Sequence, residues 1–233
     1  MKKLFRILFF WMPNSTFGSF YFELKSFIGR VLQSDLKLDS AKNNFINLGC
    51  GSIIKKDMIN IDFFFEKGID YGADLRYPLR IPSNSVDGIV CEHTMEHILY
   101  KDDEKLLSEC YRILKPGGVL RIILPDISKF INAYASGDEK WFSEWERIFF
   151  IDSPDPVRSK RRIKSPLQAL SFVMQEYGHI SAWDVPLMRK FLEEAGFSDI
   201  EECSHRQGKK PELLIDTEVP GRLYVSLYIE ATK

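Results

Sequence analysis

The sequence predicts an α/β domain built on a doubly wound, mostly parallel sheet, and two observations predict it. From Phe45 onward, short apolar runs alternate with segments of helical periodicity, the pattern that places parallel strands beneath crossover helices. The first run ends in Asn47-Leu48-Gly49-Cys50-Gly51, and the next closes on Ile59-Asn60-Ile61-Asp62. Two glycines one residue apart let the backbone turn sharply and approach a ligand that a Cβ would hold off. An acidic residue at the end of the following strand stands where the two hydroxyls of a ribose need an acceptor. Together they point to a nucleoside-type cofactor at the carboxyl edge of the sheet.

The elements follow in order. Residues 17–38 carry Phe20, Leu24, Phe27, Ile28, Val31 and Leu32 at helical spacing, an amphipathic helix leading into the domain. Strands are expected at 45–48, 58–63, 69–73 and 86–91. Only 52–57 separate the glycine turn from the second strand, so the first crossover helix is reduced to about one turn. Residues 102–114 form a helix with Leu106, Leu107, Cys110, Ile113 and Leu114 on one face. Lys115-Pro116-Gly117-Gly118 stops it and turns the chain into 119–124, a continuous apolar run suited to a strand buried on both faces. Asp184 caps a later helix that has Pro186 in its first turn and Gly196 at its end. Strands at 199–203 and 223–231 close the domain; in the latter, Leu223, Val225, Leu227 and Ile229 alternate, predicting an antiparallel strand with unequal faces.

Residues 127–180 break the rhythm, because a crossover of this length is far above the usual one. The segment is a helical insertion after the fifth strand, beside the ligand edge, and the natural substrate lid. Its aromatic residues, Trp141, Trp145 and Phe149 among them, serve either as a local core or as a wall for a substrate. The basic run 158–164 serves either as a solvated loop or as an attractor of a pyrophosphate, an anionic glycan or an anionic membrane.

Composition bounds the partners. The chain has 233 residues, 45% hydrophobic and 28% charged, with net charge −1, the profile of an ordinary globular protein. Positive charge is confined to one loop, which argues against nucleic acid. Cys50, Cys91, Cys110 and Cys203 are widely spaced, with no CxxC pair, and read as reduced thiols of a cytoplasmic protein. Residues 1–12 combine a basic start with apolar and aromatic residues but offer no cleavage site. They are expected to dock on the domain as a helix, or to lie peripherally on the inner membrane face. The organisation is a helical extension at 1–40 and a domain at 41–233; oligomeric state is left open.

The ordered set INLGCG, NID, ADL at Asp74, VDGIVCEHTMEHI, LSECYRILKPGGVLRIILPD and FLEEAGFSDI resembles class I S-adenosylmethionine-dependent methyltransferases, nearest to small bacterial ones associated with surface-polysaccharide synthesis. The resemblance implies a Rossmann-like seven-stranded sheet and S-adenosylmethionine as cofactor. It implies that Gly49, Cys50 and Gly51 pass under the methionine part, that Asp62 holds the ribose hydroxyls, and that Asp74 accepts from the adenine amino group with Leu75 near the ring. Cys91 and Glu92 would line the sulfonium end. Asn47 stands where the family usually has an acid, and its amide is expected to hydrogen-bond the amino-acid moiety.

Methyl transfer from a sulfonium is an in-line displacement that needs alignment of the acceptor and, for a hydroxyl, a base. The candidates are His179, Asp126 and His93; Asp126 is also placed to cap the segment that follows it. Trp183 beside His179 suits stacking on a sugar. Glu96 and His97 are expected to brace the helix against the glycine turn. His93, Glu96 and His97 have the spacing of an inverted zinc-peptidase motif, but that motif belongs within a helix, so no metal is expected. The preferred acceptor is a sugar oxygen, on a nucleotide sugar or a surface glycan, with an anionic acceptor as one option. The alternatives are a lipid or quinone at the membrane surface, or a non-catalytic binding module of the same fold.

Overall fold

The computed structural model describes residues 14–63, 67–176 and 178–233, so the helix expected at 1–12 lies outside the described residues. Helix α1 (Asn14–Leu32) precedes β1 (Phe45–Leu48), β2 (Ile59–Asp62), β3 (Tyr71–Gly72) and β4 (Val86–Glu92). Then come α2 (Tyr100–Ile113), β5 (Leu114–Pro125), and the insertion helices α3 (Ile127–Ser136), α4 (Glu139–Glu146) and α5 (Pro166–Gln175). Helix α6 (Val185–Glu194), β6 (Ser198–Glu202), α7 (Pro220–Val225) and β7 (Ser226–Thr232) complete the chain. The seven strands form one sheet in the order β3-β2-β1-β4-β5-β7-β6. All neighbours are parallel except β7, which runs antiparallel to β5 and β6. Strand order reverses between β1 and β4, the switch point where open α/β sheets bind ligands beyond their carboxyl ends.

One face of the sheet is packed by α2, through Leu106, Leu107, Cys110 and Ile113, and by Met188 and Leu192 of α6. The other is covered by Met58, Leu213 and Tyr228, packed on Phe45, Val90 and Ile123. Arg121 of β5 is fully buried there, donating through Nε to Asp216 at 2.8 Å and through a terminal nitrogen to Glu230 at 2.9 Å. The insertion has a core of its own, in which Phe130, Trp145, Phe150 and Phe172 meet edge to face and Phe142 packs on Phe130.

Four sequence expectations change. No helix, not even a single turn, lies between β1 and β2; turns fill the space. Lys115-Pro116-Gly117-Gly118 does not precede β5 but bulges out of it, since the partners of β4 jump from Leu114 to Val119. Gly117, at φ 76°, takes a conformation that suits glycine there. The last strand starts at Ser226, because Pro220 opens the short α7 that absorbs Leu223 and Val225. It is buried on both faces except at its end, because it lies inside the sheet with β6 at the edge. Finally, the apolar stripe of α1 faces outward: Phe20, Leu24, Phe27, Val31 and Leu32 are 44–77% exposed, while Ser26 is buried.

Candidate active site

The glycine turn leaves β1 with Gly49 at φ 69° and Gly51 at φ 51°. The amides of Gly49 and Cys50 both donate to the Ile61 carbonyl, at 2.8 and 3.1 Å, and so pin the turn to β2. A Cβ on Gly49 would lie 2.2 Å from the Thr94 hydroxyl, which donates to the Gly49 carbonyl at 3.2 Å. The brace between the post-β4 segment and the turn is therefore Thr94, where Glu96 and His97 were expected. Asp62 closes the turn from the other side, accepting from the Gly51 amide at 2.8 Å. A backbone held bare of Cβ at the switch point, with a carboxylate at the end of β2, fits a nucleoside cofactor.

The other expected cofactor residues are engaged within the protein. Asn47 is buried, and its amide donates to the Ile53 carbonyl at 2.8 Å and to Asn60 Oδ1 at 3.1 Å. Asn60 in turn accepts from Lys55 N and donates to the Lys55 and Met58 carbonyls. This amide ladder holds the loop that replaces the first helix, so the Asn47 side-chain nitrogen is directed to that loop and not to an amino-acid moiety. Asp74 accepts from Arg76 N, Nε and a terminal nitrogen at 2.8–3.1 Å and also from the Ser26 hydroxyl, so α1 reaches Asp74. These contacts with Arg76 and Ser26 hold the Asp74 carboxyl below the usual range against the upward push of burial. Leu75, Cys50 and Cys91 are buried; burial pushes the Cys50 thiol up to about 11 and Cys91 well above its ordinary value. Glu92 accepts from Thr217 and, at 3.1 Å, from Arg222, tying the sheet edge to α7 and the segment before it. Arg76, Thr217 and Arg222 carry no motif of their own, and only the fold brings them to the edge.

Beyond β4 the chain makes a short 3-10 turn, Met95–His97. His93 precedes it at φ 50°, a left-handed backbone that a non-glycine residue adopts at some energetic cost. Its Nδ1 lies 3.1 Å from Glu96 Oε1 and its Nε2 lies 2.9 Å from the Ser226 hydroxyl. Burial pushes the Glu96 carboxyl up, but His93 and the charge of the neighbouring histidines outweigh it and hold the group below its usual range. His179 is held through Nδ1, 2.6 Å from the Val173 carbonyl, and burial lowers its pKa. The His97 and His179 rings meet edge to face at 4.9 Å.

A cavity of about 590 Å³ opens between this turn and the insertion, lined by His93, His179, Trp145, Phe149, Arg147 and Arg222 among others. His93 and His179 thus share one cavity. Asp126 does not line it: its carboxylate caps α3, accepting from Ser128 N at 2.9 Å and Ser128 Oγ at 2.6 Å. Trp183 is 1% exposed and donates to Ser181, so it is core and not a sugar platform. Asp184 caps α6 as expected, accepting from Leu187 N at 2.8 Å. In the basic run, Arg158 lies over Phe149 and Arg161 over Phe172, and Arg161 pairs with Glu176; part of this run binds the insertion together. Among the described residues no helix is long and apolar enough to cross a membrane.

Residues 60–122 match the methyltransferase domain family. Similar solved structures include a SAM-dependent methyltransferase from Archaeoglobus fulgidus (18% identity, 83% of this chain and 87% of that one, TM-score 0.47). A methyltransferase from Mesorhizobium loti is 16% identical over 84% of this chain and 94% of its own, with TM-score 0.45. Phosphoethanolamine N-methyltransferase 2 from Haemonchus contortus, in complex with S-adenosyl-L-methionine, is 14% identical over 88% of this chain and 51% of that one, with TM-score 0.45. No curated protein matches the chain. The methyltransferase-domain match over 60–122 thus begins in β2, beside the glycine cradle at the sheet's switch point.

Proposed function

We propose that the enzyme methylates an oxygen of an anionic sugar, carried on a nucleotide or within a surface glycan, in the cavity beneath the insertion. The observation that supports this most is the lining, where Phe149 stands with Arg147, paired to Glu144 and Asp152, and Arg222, paired to Glu92. Aromatic rings suit the apolar face of a pyranose, and guanidinium forks suit a phosphate or carboxylate. When bound, S-adenosylmethionine supplies an activated methyl on its sulfonium. The protein's tasks are then to orient the acceptor, exclude water and take one proton.

His93 is the preferred base. Its Nδ1 faces Glu96, which favours the tautomer with the proton on that nitrogen and leaves Nε2, beside Ser226, to accept. His179 donates through Nδ1 to a backbone carbonyl and serves as a second polar contact for the acceptor. Asp126 is spent on its helix cap. Release of S-adenosylhomocysteine with a panel of nucleotide sugars and uronate-containing glycans tests the reading. Turnover that His93→Gln lowers at least about 100-fold is expected; no turnover with any sugar would reject it.

The outward apolar stripe of α1 supports a second reading, in which the acceptor is a lipid or quinone and residues 1–12 continue the contact with a membrane surface. Flotation with anionic liposomes, with and without residues 1–12, decides it. Binding that survives neither that deletion nor Phe27→Ser is the result this reading requires.

A further inference from the structure

We propose that Glu96, His97 and His179 bind one divalent first-row transition ion at the wall of the acceptor cavity. The three ligand atoms already lie within 4.8 Å of one another. Tetrahedral coordination at about 2.1 Å would bring them to roughly 3.4 Å, a closure of rotamer size.

The carboxylate is the independent observation. Glu96 is 2% exposed; its Oε1 lies 3.1 Å from His93 Nδ1, and its Oε2 has no hydrogen-bond partner. A buried carboxylate oxygen without a partner is costly, and a cation bound at Oε2 would remove that cost.

His179 has the second contact that metal-bound histidines have. Val173 offers only a carbonyl, so Nδ1 must carry the hydrogen, and Nε2 is left with its lone pair. Backbone bonds fix the two chain segments against each other. The Ile180 amide donates to the Glu96 carbonyl at 2.8 Å and the Ser181 hydroxyl to the Met95 carbonyl at 3.1 Å. The ligands therefore come from two segments that are already clamped, across the seam between the sheet edge and the end of the insertion.

Two imidazoles and one carboxylate suit zinc, cobalt, nickel or iron better than magnesium or calcium, which prefer all-oxygen shells. Three protein ligands leave at least one position open. All three residues line the acceptor cavity, so an acceptor oxygen can complete the shell; that last role rests on the methyl-acceptor reading above, whereas the metal site does not.

The test uses the full chain, stripped with EDTA and titrated with Zn²⁺ and with Co²⁺. One ion per chain is expected, with cobalt absorption of nitrogen–oxygen ligation. His97→Ala and His179→Ala should each weaken binding at least about tenfold, while His205→Ala leaves it unchanged. S-adenosylmethionine titration of the same samples reports separately on the cofactor site. No stoichiometric uptake by folded wild-type protein overturns the proposal, as does uptake indifferent to both histidines. Should a variant fail to fold, X-ray absorption of the zinc-loaded wild type decides: two imidazoles in the shell support the site, and a sulfur ligand rejects it.

Discussion

The Gly49 carbonyl and the Thr94 hydroxyl are joined at 3.2 Å across the crevice between β1 and β4, leaving no room for a side chain at Gly49. Gly51, two residues on, has nothing within 4 Å of where its Cβ would be. The two glycines therefore differ in kind. Gly49→Ala combines a left-handed backbone with a steric conflict and is expected to cost about 2–5 kcal/mol and to abolish cofactor binding. Gly51→Ala carries the backbone strain alone, about 1–2 kcal/mol. Chemical denaturation and calorimetric titration with S-adenosylmethionine measure both; equal losses at the two positions would contradict the assignment.

Asp62 accepts from the Gly51 amide and ends β2 at the expected ribose position. Asp62→Ala is expected to weaken S-adenosylmethionine and its demethylated product together, by at least about tenfold, through loss of charged hydrogen bonds. Calorimetry on protein of verified fold is the measurement. Unchanged affinity would move the ribose elsewhere.

Arg121 lies between Asp216 and Glu230 with all three side chains at most 1% exposed. Removing the cation alone leaves two buried carboxylates. Arg121→Met should destabilise by about 3–5 kcal/mol, whereas replacing all three residues by apolar ones should recover most of that loss. Urea denaturation of the single and triple variants discriminates; a triple variant no more stable than the single one would show that hydrogen bonds, and not charge, hold the segment.

Asp103 on α2 is fully buried with no hydrogen bond to either oxygen, and burial, together with Glu96 and Asp102, pushes its pKa up to about 8. The unfolded value is about 3.9. Between these values the folded state binds the proton and the unfolded state does not, so this group's contribution to stability falls as pH rises from about 4 to 8. Asp103→Asn should therefore raise stability by roughly 1–3 kcal/mol near pH 7.5 and leave it nearly unchanged near pH 4. Denaturation in EDTA at both pH values measures it. An equal gain at both would assign the effect to packing.

The strand–helix alternation, the glycine turn and the helix caps at Asp126 and Asp184 were legible in the sequence because each is local. Hydrophobic period, positive φ at glycine and a carboxylate two or three residues before an amide are set within a few residues of chain. The cavity was half legible: His93 and His179 were named from their neighbours, but their shared wall with Arg222 needs β7 and α7 in place. Trp183 illustrates the limit, since an aromatic beside a glycine-flanked histidine reads the same whether it faces a sugar or the core.

By itself, then, the sequence determined the fold class and the glycine turn at the sheet's switch point, because short-range geometry decides them. Tertiary structure alone decided which polar groups were already taken. Asn47 went to the loop, Asp74 to Arg76 and Ser26, and Glu92 to Thr217 and Arg222. It also decided that Glu96, His97 and His179 meet, although some eighty residues separate them in the chain. A buried polar group takes whatever partner packing brings within about 3 Å, and that partner is set by the fold of distant segments and not by its neighbours in sequence.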